Sequence, residues 1–306
     1  MNIGVNATAN ASALSGRALL LALAVVLVWG SNFAIIGATL QSLPPLLFAA
    51  LRFAAVVFPL IFFVRRPAVS WRLLAGYGVA IGVGQFGLLF IAIDGYIAAG
   101  IASLLVQSQV VFTIAMAMMT SGERLKPLQF AALALALCGV AVIAGHTGGD
   151  VTATGIALVL GAGFGWSLGN MAQRAAGKVD MLGFITWSSL FAVPPLAAMA
   201  LWFEGWPAIH TALVATTPAI WASVAWQAVG NTLFGYGAWG WLLGRYPATS
   251  VAPTSLLVPV FAMAATAIWL GEALPPWKLL AAALIIGGLA INLLATRQPS
   301  GHRRKL

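Results

Sequence analysis

"SGERLKPLQF" at 121–130 and "LGEALPPWKL" at 270–279 are the stretches on which the reading of this chain turns. Each carries a Gly-Glu-x-Leu-x-Pro phrase, Gly122-Glu123 to Pro127 in the first and Gly271-Glu272 to Pro276 in the second, and each runs into a long apolar segment. Asp and Glu number only 6 in 306 residues. A scarce residue written twice in the same setting points to a duplicated architecture. Working outward, residues 109–145 align with 258–294 at a constant offset of 149, pairing Phe112 with Phe261 and Gly139 with Gly288. Earlier in each half, "WGSN" (29–32) is loosely echoed by "WSLGN" (166–170).

Composition fixes the solvent. Apolar residues make up 61% of the chain and charged residues 7%, against about 25% charged in a soluble globular domain. A chain of this length has no way to hide that much apolar surface in water, so it is an integral membrane protein. The net charge of +9 would suggest nucleic acid if it lay on one face or arm. Instead Lys and Arg come in short clusters between apolar runs, which is a topological signature, and Arg303, Arg304 and Lys305 face anionic lipid. The single cysteine, Cys138, excludes an intrachain disulfide. Arg17 is followed by an apolar stretch to Leu40, longer than the about 7–15 residues of a signal-peptide core, so this is read as a retained first helix.

Runs of about 20 apolar residues mark membrane-spanning helices. Ten are expected, over 18–40, 44–64, 73–93, 97–120, 127–145, 153–174, 181–203, 217–242, 247–270 and 276–296. Pro44, Pro127, Pro218, Pro247 and Pro276 open several of them, where a missing backbone donor costs little. The charges test the count. With a cytoplasmic N-terminus, the inner loops and tail hold Arg17, Arg65, Arg66, Arg72, Arg124, Lys126, Arg174, Lys178, Arg245 and Arg297 with the C-terminal cluster, while the outer loops hold only Lys278. Adding or removing one helix scrambles that separation. Because five is odd, the second copy enters the membrane upside down. The expected fold is all-α integral membrane, ten transmembrane helices in two inverted five-helix repeats around a central cavity. Its parts are a polar cytoplasmic N-terminus (1–17), a first repeat (18–145), a second, inverted repeat (153–296) and a basic cytoplasmic tail (297–306). Inverted repeats around a midplane site are a recurring plan of secondary transporters.

The five-plus-five plan, "WGSN" in the first helix, "LRF" (51–53) in the second and the two Gly-Glu-x-Leu-x-Pro turns resemble the drug/metabolite transporter superfamily, EamA type, over nearly the whole chain. Within it the chain looks most like bacterial YddG-type exporters of aromatic and other neutral amino acids. That resemblance implies export across the bacterial inner membrane by alternating access. One departure is visible: the second helix of the second repeat reads "TWSSLF" (186–191), with no arginine to match Arg52.

Intramembrane acids commonly mark ion paths. Glu123 and Glu272, however, stand at helix ends before proline-started helices, where a carboxylate accepts from free N–H groups. The capping reading, joining the fourth helix to the fifth and the ninth to the tenth, is preferred over a gating one. Arg52 lies inside a span, at a cost of at least about 2.5 kcal/mol unless it faces protein or water. A structural bond to neighbouring helices is preferred for it over capture of a substrate carboxylate. Glycines at four-residue steps (Gly78, Gly82; Gly161, Gly165, Gly169) are read as close-packing stripes.

Neutral polar and aromatic side chains are the candidates for the cavity, since a buried amide facing lipid is left unsatisfied. Gln227 and Asn231 sit four apart with Phe234 beyond them; Trp166, Asn170 and Gln173 share a face; Asn32 follows Trp29 by three. Tyr77 and Gln85, Ser103 and Gln107, and the deep Trp187 and Trp239 complete the expected substrate-binding set. Trp71, Trp206, Trp221, Trp269 and Trp277 are read as an interfacial belt. His146, His210 and His302 lie in loops or the tail, and no zinc, nucleophile-elbow or phosphate-loop motif is present. No catalytic residue, metal or cofactor is therefore expected. The anticipated partners are small-molecule amino acids and lipid; oligomeric state is open, with a monomer compatible. Asp94, Asp150, Asp180 and Glu204 fall in loops, so transport without an obligatory ion partner is the expectation.

Overall fold

The computed structural model describes residues 14–121, 127–246 and 251–297, which are helical with no strand and only two isolated bridges, Ile97 to Val151 and Gly148 to Val151. Ten long helices follow one another: α1 Gly16–Leu40, α2 Pro45–Phe62, α3 Trp71–Ile93, α4 Ala99–Thr120, α5 Pro127–Ala144, α6 Ala153–Ala176, α7 Met181–Glu204, α8 Pro218–Leu242, α9 Thr254–Leu270 and α10 Pro276–Ala295. Eight of them are long and apolar enough to cross a membrane alone; α8 and α9 are not. The first of these reaches the mark only together with a short helix, Trp206–Val214, that meets it at 107°. Its own shortfall has a cause, because Gln227, Asn231 and several glycines interrupt the apolar run. A tight 3₁₀ entry over Ala252–Leu257 shortens the regular part of α9.

Side chains at the helix starts explain several boundaries. The hydroxyls of Ser15, Ser70, Thr152 and Thr217 and the carboxylate of Asp180 accept from the backbone N–H three residues on, each supplying one of the partners that a first turn lacks. Asp180 is thus a cap. Alternate helix ends gather into two poles. Arg17, Arg65, Arg66, Arg72, Arg174 and Arg245 mark one, the basic end. Asp94, Asp150, Glu204, Glu272 and Lys278 mark the other, the acidic end. Lys126, Arg124 and the tail beyond Arg297 lie outside the described residues.

The duplication has a physical counterpart where α5 meets α10. A Cβ on Gly139 would stand 2.9 Å from the Ala281 carbonyl and 2.6 Å from the Ile285 side chain. A Cβ on Gly288 would stand 2.6 Å from the Ala132 carbonyl and 2.9 Å from the Ala136 nitrogen. These contacts are reciprocal: 132 pairs with 281, 136 with 285 and 139 with 288, each 149 positions apart. Equivalent residues touching equivalent residues is what a local two-fold produces. The late part of α5 meets the early part of α10 and the reverse, so the helices cross antiparallel and the axis runs perpendicular to them, as inversion requires.

Two helices widen in matching positions. Both α3, over Ala80–Gly87, and α8, over Trp226–Phe234, take up π-helical turns, a distortion that occurs mostly at functional sites. These third helices of the two halves lie on either side of the central space. Glycines let the backbones close around it. A Cβ on Gly165 of α6 would be 2.5 Å from Gly84 of α3, and one on Gly78 of α3 would be 2.1 Å from the Ser188 carbonyl of α7.

Candidate functional site

A cavity of about 280 Å³ lies between α1, α3, α4, α6, α8 and α9, close to the lower edge of the roughly 300–1,000 Å³ of small-molecule sites. Ten of the anticipated residues line it: Trp29, Asn32, Tyr77, Gln85, Ser103, Gln107, Trp166, Asn170, Asn231 and Trp239. Gln173 joins them from the Trp166 face.

One wall is aromatic and fixed by backbone geometry. Trp29 donates from Nε1 to the Asn231 carbonyl at 3.1 Å. Its ring lies 5.5 Å from that of Tyr236 and 5.2 Å from that of Trp239. The indole fits only because residue 235 is glycine, where a Cβ would come within 2.3 Å of Nε1. Amides line the cavity as well. Asn170 donates through Nδ2 to Gln109 Oε1 at 2.7 Å and to Thr113 Oγ1 at 3.2 Å, tying α6 to α4. The Gln85 carbonyl oxygen is buried without a partner, an acceptor left open beside the cavity. None of the lining residues is a carboxylate, a histidine or a cation.

Two members of the expected set stand elsewhere. Gln227 is fully buried and locked to Asn32 by two bonds, Gln227 Nε2 to Asn32 Oδ1 at 2.7 Å and Asn32 Nδ2 to Gln227 Oε1 at 3.3 Å. It joins α8 to α1. Trp187 faces the basic end, donating to the Val64 carbonyl at 3.0 Å and packing edge-on to Trp71. Its place in the chain gave depth but not direction. The lining also includes Gln109, Tyr236 and Ser255, which regular helical spacing does not select. Tyr236 follows Asn231 by five, the step of a π turn. A 3₁₀ turn over Val106–Ser108 brings Gln107 and Gln109 to one side. The irregularity that builds the site is what hid them.

The charged candidates lie around the cavity. Arg52 is 1% exposed, with its guanidinium carbon 3.5 Å from the Phe86 ring centre, in a small recess behind Tyr77, Phe86 and Tyr236. Glu272 accepts from the backbone of Ala99 at 2.8 Å and of Gly100 at 3.1 Å. It therefore caps α4, in the other half, and not the α9–α10 connection in which it stands. Glu204, expected in a loop, is the last residue of α7 and caps α2, accepting from Leu46 at 2.5 Å and Leu47 at 3.0 Å. Glu123 lies outside the described residues.

Comparison with known proteins agrees with this geometry. The EamA-like transporter family model matches residues 16–145 and 153–294. Proteins called "Probable amino-acid metabolite efflux pump" in Salmonella typhimurium and Escherichia coli are each 42% identical over 283 residues, covering 90% of this chain and 95% of their own. A "Probable terminal-alkyne amino-acid exporter" of Streptantibioticus cattleyicolor is 30% identical over 293 residues, covering 92% of this chain and 93% of its own. A solved crystal structure with 20% identity superposes with a TM-score of 0.59 over 92% of this chain and 99% of its own, which shows the shared fold.

Proposed function

The chain belongs to the EamA-like transporter family, and from that premise we propose that it exports neutral amino acids with apolar or aromatic side chains. It is a multi-pass membrane transporter of small metabolites and not an enzyme. The observation that carries the finer reading is the cavity itself, lined by indole and phenol rings interleaved with amides, with no charge in its lining. Rings and amides suit a zwitterion with an apolar side chain; a lysine or glutamate side chain would shed its hydration there without a counter-charge. The efflux and exporter names of the relatives support the outward direction.

The charge distribution supports a bacterial inner-membrane location with the basic end, and both termini, in the cytoplasm. Substrate then enters between the basic ends of the helices and leaves at the acidic end as two inverted five-helix repeats, 18–145 and 153–296, alternate around the cavity. Ion-driven carriers keep a titratable group where occupancy can be linked to the conformational switch. The cavity lining offers no carboxylate or histidine, which supports transport down the amino-acid gradient. Counterflow in proteoliposomes tests both claims. Labelled tryptophan, phenylalanine, methionine and leucine are expected to exchange well ahead of glutamate and lysine. Preferential exchange of the charged amino acids overturns the specificity, and uphill accumulation on an imposed proton or sodium gradient overturns the energetics.

A further inference from the structure

Arg52 is the one buried guanidinium among the described residues, and its hydrogen bonds are mostly unmade. Only Nη2 has a partner, donating to Thr232 Oγ1 at 3.3 Å. Nε and Nη1 are buried with none. Thr232 is already held by its own bond to the Gln227 carbonyl at 2.9 Å, so its lone pairs face the arginine. The ring of Phe86 lies against the guanidinium plane and Phe53 is 5.3 Å away. Among the described residues no carboxylate pairs with it. An arginine stays protonated in a protein, and an unpaired charge at this depth is expensive. A purely structural arginine would be expected to have its donors filled by helix-end carbonyls. Here two donors are left open, and the residue lines a small recess with Ser189 and the phenol side chains of Tyr77 and Tyr236. Tyr77, Phe86 and Tyr236 line the main cavity as well, so these three side chains form the partition between the two spaces.

We propose that Arg52 is an anion-binding residue that takes the carboxylate of the transported amino acid when Tyr77, Phe86 and Tyr236 swing aside. The inference rests on the function proposed above and deepens it. The aromatic and amide walls hold the side chain and the ammonium group, while a free donor, Nε or Nη1, together with the second hydrogen of Nη2 forms an edge of the guanidinium fork that matches the two oxygens of a carboxylate. In the absence of substrate, cation–π contact with Phe86 partly offsets the missing counter-charge. Substrate would then displace a ring from a cation, which couples occupancy of the cavity to a movement of α3 and α8, the helices whose widened turns flank the cavity.

The test uses the full-length protein in proteoliposomes and in detergent. Counterflow of labelled phenylalanine is competed with unlabelled phenylalanine, phenylalaninamide and phenethylamine. The two analogues without a carboxylate are expected to compete roughly ten- to a hundredfold more weakly, the scale of a charge-assisted hydrogen-bond pair. Arg52→Gln is expected to remove that preference, and Arg52→Lys to keep part of it. A residue serving only to pack would lower the rate while leaving the preference unchanged. A second measurement needs no variant: thermal unfolding of the wild-type protein with phenylpropanoate against phenethyl alcohol, in chloride and in methanesulfonate. Stabilisation by the carboxylate alone is expected. Equal competition by all three compounds, or equal stabilisation by the two ligands, overturns the proposal. Stabilisation by chloride with no preference for the carboxylate overturns it in favour of an inorganic anion. Failure of every amino acid to exchange, with the carboxylate still stabilising, would sink the transport reading and leave the anion site standing.

Discussion

At the acidic end, side chains from residues 200 onward reach into residues 45–150 at three places. Glu204 caps α2, Glu272 caps α4, and Lys278 Nζ meets Asp150 Oδ2 at 2.5 Å. Each joins a residue of the second half to the first half or to the segment between them, and each uses a formal charge. At the basic end the corresponding contacts among the described residues are neutral: Ser15 to Tyr246 at 3.0 Å and Trp187 to the Val64 carbonyl at 3.0 Å. The basic end carries more charge, and two of its arginines turn to local rings, Arg66 over Trp71 at 4.4 Å and Arg245 over Trp241 at 4.2 Å. Among the described residues, charge bridges the halves at the acidic end and turns to nearby rings at the basic end. If the halves move against one another, the acidic-end contacts are the ones that must separate for substrate to leave there.

The largest effect is expected from the two caps. A carboxylate at a helix N-terminus satisfies free N–H groups and complements the helix dipole. In Glu272→Gln or Glu204→Gln the charge goes, and in the alanine variants the N–H groups lose their partner, at about 1–2 kcal/mol per site. Their separate positions on α2 and α4 make the two losses roughly additive. The double variant Glu204→Ala/Glu272→Ala is therefore expected to show the greatest drop in unfolding temperature in detergent, with altered exchange rates in counterflow. Gly100 sharpens this. Its Cβ would sit 2.7 Å from Glu272 Oε2 and 2.7 Å from Thr266 Oγ1, so Gly100→Ala is expected to reproduce the loss seen in Glu272→Ala and to add little to it. Full additivity of the two would mean that the glycine matters for another reason.

A smaller effect is expected at Lys278. Its side chain is 3% exposed but Asp150 is 48% exposed, so solvent screens the carboxylate, and an asparagine at 150 still offers the buried ammonium an acceptor. Trp277 adds packing, stacked on His146 at 4.6 Å between ring centres. Asp150→Asn is expected to cost less than either cap variant. Its cost should also shrink with added salt, because the pair has an exposed member and the caps bind backbone. A salt-independent loss as large as that of Glu272→Ala would put the main brace at Asp150 and break the ranking.

Much of this was legible in the sequence where it depends on periodicity or repetition. The doubled Gly-Glu-x-Leu-x-Pro phrase marks the duplication, and the Gly139–Gly288 correspondence anticipates two glycines that make equivalent close approaches where α5 crosses α10. The Trp166, Asn170 and Gln173 face lines the cavity because α6 is a regular helix over that stretch. The sequence was silent where geometry departs from 3.6 residues per turn. Tyr236 and Gln109 enter the site through π and 3₁₀ turns, and Gln227, in register with Asn231, instead pairs with Asn32. The targets of Glu204 and Glu272 lie 157 and 173 positions away; a cap was legible for Glu272 but not for Glu204, and nothing local told which helix either one serves.

The smallest expected effect is at the basic end. The Tyr246 hydroxyl and Ser15 Oγ share one neutral, exposed hydrogen bond. Water replaces such a bond on either partner, so the net contribution is small, and surface changes of this kind fall within about 0.5 kcal/mol. Tyr246 also packs its ring against Ala18, Ala22, Leu242 and Val251, and Tyr246→Phe keeps that ring while deleting only the hydroxyl. Its unfolding temperature in detergent and its counterflow rate are both expected to match the wild type. If Tyr246→Phe cost as much as Glu272→Ala, the neutral contact would be a brace in its own right. The asymmetry between the two ends would then describe which residues carry charge and not which contacts hold the halves together.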